Sequence, residues 1–192
     1  MRYPCLLLTI LCCTLGCVKK EHTDASFFDC HLKAPKVRTD KQELIYLVLE
    51  RGLVTDKAVT DYRLIRKKKK MYVQKEVFGS EGIAIANSEV NGPADVSPLS
   101  EQDVPHRIGE VEFCLKSQDE LQKIVERTNP FVSISLGHFI LQDSIALIAI
   151  ATGWQSTKMS KVIYMSGGGG IWQYRKAKGK WQFEKETMTW IH

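Results

Sequence analysis

The sequence predicts an α+β domain, with two or more helices packed on a C-terminal antiparallel β-sheet of four to six strands. Three observations carry that expectation. Helix caps stand at Thr39 and Ser117, each followed by an apolar stretch. From Phe131 onward, apolar runs of strand length alternate with turn-forming residues. The composition, 44% hydrophobic and 26% charged over 192 residues, is that of one folded domain, because a chain of this size buries a core without metal or disulfide staples. The single domain is expected over 39–192, behind a leader at 1–16 and a tether at 17–38.

Thr39-Asp40-Lys41-Gln42 places a cap hydroxyl three residues before a glutamine, the reciprocal pattern that satisfies two free N–H groups at a helix start. Leu44, Ile45, Leu47, Val48 and Leu49 follow as the apolar face, and Gly52 ends the helix, so it is placed at 40–51. Over 53–78, Tyr62, Leu64, Met71, Tyr72, Val73, Val77 and Phe78 indicate strands around the basic run Arg66-Lys67-Lys68-Lys69-Lys70. Glycines and prolines from Gly79 to Pro105 mark 79–109 as loop, with a short strand at 83–86. A strand at 110–115 leads into a second helix at 118–127, with Ser117 and Glu120 as its capping pair. Phe131–Leu141 and Ile145–Thr152 are strands joined by Gln142-Asp143-Ser144. Further strands are placed at 161–166 and 171–176, then beyond the Lys178-Gly179 turn at 180–186 and 189–191. Trp172 and Tyr174 alternate on one strand, as Trp181 and Phe183 do on the next, so each pair shares a face. They are either sheet core or an aromatic groove in which Trp172, Tyr174 and Trp181 contact a ligand.

The amino terminus carries Arg2, an apolar stretch from Cys5 to Leu15, and Gly16 before Cys17. A positive residue, a short apolar core and a small residue at the cut make a secretory signal. The stretch falls short of the roughly 20 apolar residues a membrane-spanning helix needs. Thr14-Leu15-Gly16-Cys17 resembles the bacterial lipobox: Gly16 and Cys17 match it, Thr14 stands where Leu is preferred, and Leu15 where Ala or Ser is. The resemblance covers about the first 20 residues. It implies that Cys17 becomes a lipidated first residue, making the chain an exported bacterial lipoprotein whose acyl chains hold it in the membrane of the cell envelope. Gly167–Gly170 and the strand opened by Gly179-Lys180-Trp181 resemble the last strands of cystatin-like and nuclear-transport-factor-like folds, a likeness of shape that carries no function. Cys5, Cys12, Cys13 and Cys17 belong to the leader and lipid site. That leaves Cys30 and Cys114, which in an oxidising compartment either pair or stay as buried thiols.

The motifs of chemistry are sparse. Gly167–Gly170 runs into an aromatic strand with no Gly-Lys-Ser or Gly-Lys-Thr after it, so it reads as a flexible loop rather than a phosphate cradle. The run 66–70 reads as a solvated turn or a lysine-blunted strand edge, with contact to anionic lipid or lipopolysaccharide as the other reading. The net charge of +5 is mild, and an exported chain is not expected to meet nucleic acid. His22, His31, His106, His138 and His192 show no zinc spacing, and neither metal nor cofactor is expected. His138 with Asp143, Ser133 and Ser135 is the one arrangement that would serve hydrolysis, without a Gly-x-Ser-x-Gly elbow. Glu110 and Glu112 share a strand face, either as paired carboxylates or as a solvated surface. The expected function is non-enzymatic binding of an envelope protein or component. The alternatives are a small hydrolase with a pocket near His138 and Asp143, or a ligand module lined by aromatic strands.

Overall fold

Alternation with a period of two dominates the second half of the chain, and a long, curled sheet is its outcome. The computed structural model describes residues 30, 38–58, 68–79, 90, 92–161 and 167–191. Strand β1 is Lys70–Gln74, β2 Ala94–Asp95, β3 Arg107–Ile108 and β4 Val111–Lys116. Then come β5 at Phe131–Gln142, β6 at Ile145–Gln155, β7 at Gly168–Ala177 and β8 at Lys180–Ile191. Their hydrogen-bonded order is β3-β4-β1-β5-β6-β7-β8, with β2 paired to the far part of β5. Helix α1 is Asp40–Leu49 and α2 is Gln118–Val125.

The protein is therefore β-dominated: the described residues form one mixed sheet of eight strands, curled into a half-barrel, with two short helices. This corrects the expected α+β class of helices on a C-terminal antiparallel sheet. Strand β1 lies parallel to both β4 and β5, pairing Met71 with Phe113 and Val73 with Ile134. Parallel neighbours need long crossovers, so no turn signal in the sequence announces the pairing. The sheet thus reaches back to Lys70, and the span expected to be loop supplies β2 and β3. The expected strands at 83–86 and 161–166 fall outside the described residues, apart from Lys161.

Both capping boxes form. Thr39 Oγ1 accepts from the Gln42 N–H at 3.3 Å while Gln42 Oε1 accepts from the Thr39 N–H at 3.0 Å. Ser117 and Glu120 repeat the exchange on α2. Helix α1 ends at Leu49 and widens into a π-helical turn over Glu50–Val54, closed by the Thr55 N–H donating to the Glu50 carbonyl.

The helices lie on different faces of the sheet. Leu44, Ile45, Val48 and Leu49 of α1 meet Ile134, Leu136, Ile148, Ile150, Trp172, Tyr174 and Trp181 in the main core. Phe183 packs edge-on to Trp172 and Tyr174 at centroid distances of 6.5 and 5.9 Å. Asp40 pairs with Lys176, and Lys41 with Asp95, which pins the start of α1 to β7 and β2. The Lys41 ammonium holds the Asp95 carboxyl down at about 2. Helix α2 is instead bonded to the end of β6, Gln118 Nε2 donating to Gln155 Oε1 and Gln122 Nε2 to the Ser156 carbonyl. Gln155 in turn donates to Ser133 Oγ.

Gly168–Gly170 forms no loop. It opens β7 in full register, Gly169 lying between Ala151 of β6 and Trp190 of β8. A Cβ added at Gly169 would overlap the Ile150 carbonyl and come within 2.6 Å of Trp190 Cζ2. The glycine is required by a close approach. Gly169→Ala is expected to shift the urea midpoint by about 1–3 kcal/mol of lost stability, the usual cost of overpacking. Gly153→Ala, whose new Cβ would meet nothing within 4 Å, is expected to stay within about 0.5 kcal/mol of wild type.

Candidate functional site

From Ile148 to Gly153, strand β6 is sorted by size. Ile148 and Ile150 enter the main core, while Ala149, Ala151 and Gly153 alternate with them and line a cleft on the opposite face. Register carries the row of small residues across the sheet. Ala151 lies between Ser135 of β5 and Gly169 of β7, and Ala149 pairs with Ile171. Three strands thus contribute a floor made mostly of small side chains.

Two aromatic walls stand on that floor. Phe78 is fixed by backbone bonds to a bulge in β5, its N–H donating to the Leu136 carbonyl at 3.1 Å and its carbonyl accepting from the His138 N–H at 3.2 Å. A Cβ on Gly137 would lie 3.1 Å from the Phe78 ring, so the glycine admits the wall. Trp190 is seated across Gly169, and its ring centroid lies 6.4 Å from that of Phe78 with the planes near perpendicular. Ile171 and the 44%-exposed Met188 complete the lining.

The cleft encloses about 530 Å³, within the range of roughly 300–1,000 Å³ typical of small-ligand sites. Its two side-chain hydroxyls are already engaged: Ser135 Oγ donates to Gln74 Oε1 at 2.9 Å, and Thr152 Oγ1 to the Gly168 carbonyl at 3.2 Å. What it offers a ligand is therefore apolar and aromatic surface. A smaller recess of about 260 Å³ lies between α1 and β3. There Arg107 is paired with Glu112 and Arg38 lies over the Tyr46 ring, so its cations already have partners.

The aromatic residues singled out from the sequence lie on the other face. Trp172 and Tyr174 are each 1% exposed and Trp181 3%. All three belong to the main core, and Trp172 Nε1 donates to Glu186 Oε2 at 2.9 Å. Alternation shows that such residues share a face but not which face is open. The aromatic pair that lines the cleft is Phe78 and Trp190. The signal that marks the cleft in the sequence is Ala149-x-Ala151-x-Gly153, set against Ile148 and Ile150.

The hydrolytic arrangement is not assembled. Ser133 and Ser135 are bonded to Gln155 and Gln74, and Asp143 sits exposed in the β5–β6 turn with a φ of 49°. His138 lies in the β5 bulge, half-buried, with Nδ1 unpartnered among the described residues. Glu110 and Glu112 do not act as a pair, the first meeting Lys69 and the second Arg107. Among the described residues no three His, Cys, Asp or Glu side chains converge as for a metal ion. Cys17 lies outside the described residues. Cys30 and Cys114 are joined as a disulfide, with Cα atoms 5.5 Å apart and a sequence separation of 84.

Comparison of the chain with protein-family models, with curated proteins and with solved structures finds no match. The disulfide gives the first chemical check on the site's surroundings. Both thiols are expected to resist alkylation in the folded protein until a reductant is added. The double variant Cys30→Ser, Cys114→Ser is expected to lose about 2–4 kcal/mol in urea unfolding, as for a bridge that closes a long loop.

Proposed function

We propose that this chain is an exported, non-enzymatic envelope lipoprotein, held to the membrane through Cys17, whose domain binds a small apolar ligand. The observation that carries the binding reading is the cleft between Phe78 and Trp190 over the floor of Ala149, Ala151 and Gly153. Transfer of an apolar ligand from water onto such a surface is favourable at roughly 25 cal/mol per Å² buried, and the hydroxyls of Ser135 and Thr152 are already engaged within the protein. The signal-like stretch and the Gly16-Cys17 pair support the export and anchoring parts of the reading. No helix among the described residues is long and apolar enough to cross a membrane.

A fatty acid such as dodecanoate is the direct probe of the cleft. Trp172 and Trp181 are sealed in the core and Trp154 packs against that core away from the cleft, so a saturable change in tryptophan emission on titration is expected to come from Trp190 and to vanish in Trp190→Phe. Gly153→Leu fills open space in the cleft and is expected to weaken binding about tenfold while leaving the thermal midpoint nearly unchanged, as substitutions without clash do. Undiminished binding in Gly153→Leu would remove the cleft as the site.

The anchor is read independently from the mass of the N-terminal peptide of membrane-fractionated protein. An acylated Cys17 peptide is expected in wild type, with peptide and membrane association both lost in Cys17→Ala. An N-terminus that begins elsewhere, or one without lipid, refutes the anchor.

A further inference from the structure

Strand directions decide which connections share an end of the sheet. β1, β4, β5 and β7 begin, and β3, β6 and β8 finish, at the same end. That end gathers Lys68, Lys69 and Lys70 at the start of β1, Arg127 ahead of β5, and Lys158 and Lys161 after β6, all of them exposed. Among the described residues the carboxylates in those same connections are Glu110, Glu112 and Glu126. Glu110 meets Lys69 at 3.3 Å, Glu112 pairs with Arg107, and Glu126 accepts from the Lys158 backbone N–H at 2.8 Å. Among the described residues no ion pair engages the side chains of Lys68, Arg127, Lys158 or Lys161. The end therefore carries a surplus of unpaired positive charge.

Met159 stands within this cluster and is 87% exposed, more than any other large apolar side chain described. An extended methionine flanked by Lys158 and Lys161 combines an apolar tip with cationic shoulders. A bilayer interface rewards that combination, since the tip enters the headgroup boundary while the ammonium groups stay at its surface.

The disulfide brings the incoming chain to the same region. Cys114 pairs in register with Tyr72, two residues along β1 from Lys70, and Cys30 is joined to it. The segment from Cys17 to Cys30 spans at most about 45 Å even when fully extended. A lipid on Cys17 thus holds this part of the sheet within a short reach of the bilayer.

We propose that the basic end of the sheet, with Met159 at its tip, is the surface that rests on anionic phospholipid headgroups. The biological setting rests on the anchor reading above, whereas the surface rests on charge and strand direction alone. Each lysine near an anionic membrane strengthens association by about fivefold, an effect that fades beyond a Debye length. The opposite end supplies a matched control in Lys178 and Lys180 of the β7–β8 turn.

The test uses the leaderless chain from residue 17 carrying Cys17→Ser, so that no acyl chain contributes. It is sedimented with vesicles of phosphatidylcholine alone or mixed with phosphatidylglycerol. Binding is expected only to the mixed vesicles and is expected to fall with added salt. Lys68→Glu with Lys158→Glu is expected to weaken it about tenfold or more, and Met159→Asp to weaken it severalfold. Lys178→Glu with Lys180→Glu carries the same charge change and is expected to alter it by less than about twofold. Absence of binding, equal binding to neutral vesicles, equal loss in the two charge variants, or tighter binding to duplex DNA than to vesicles would overturn the assignment. Because this chain bears no lipid, an unmodified Cys17 in the mass measurement would refute the anchor without altering the vesicle result.

Discussion

Strand β6 is buried on both faces, and the division of its side chains between them sets the form of the rest of the molecule. Ile148 and Ile150 anchor the main core, whose other side is closed by Leu44, Ile45, Val48 and Leu49 of α1. On the reverse face Leu147 and Ala149 join a smaller cluster with Val90, Ile140 and Ile171. Interiors pack at near-crystalline density, so over 148–153, where large residues take one face and small ones the other, volume is left where the small ones stand. The cleft is that volume. Its walls follow from the same constraint, because Phe78 and Trp190 approach the sheet only where Gly137 and Gly169 present no Cβ.

Local features of the chain were legible because they obey local rules. The capping boxes at Thr39 and Ser117, the Asp143 and Gly179 turns and the long strands from Phe131 onward are each specified within a few residues. The sheet as a whole was not legible. Its centre joins β1 to β4 and β5 across tens of residues, and no periodicity records which distant strand a segment will choose. The glycine run misled for a related reason. Four consecutive glycines have the composition of a loop, but here the missing side chains make room for Trp190. Composition describes what a segment could do alone, whereas packing decides what it does among neighbours.

The aromatic strands make the same point about function. Trp172, Tyr174 and Trp181 are the most visible side chains in the C-terminal half, and alternation correctly put them on a common face. That face is covered by α1, which follows from a helix more than a hundred residues earlier in the chain. The residues that line the cleft are inconspicuous by comparison: Ala149, Ala151 and Gly153 form a pattern only once the strand is known to be buried on both sides. A binding surface built from absent side chains leaves little trace in a single sequence.

The cleft and the basic end are related through strand polarity. Gly153 lies two residues from the end of β6, and Trp190 one residue from the end of β8; both strands finish at the end that carries Lys158 and Met159. If that end rests on headgroups, this side of the cleft lies close to the bilayer interface. An apolar ligand could then pass between lipid and cleft with little exposure to water, and the apolar area that stabilises it in the cleft would replace area already buried in the leaflet. Partition between the two would depend on shape more than on hydrophobicity, since both environments are apolar. The near-perpendicular rings of Phe78 and Trp190 over a floor of small side chains supply that shape, and ligands of equal hydrophobicity but different width should therefore be discriminated there.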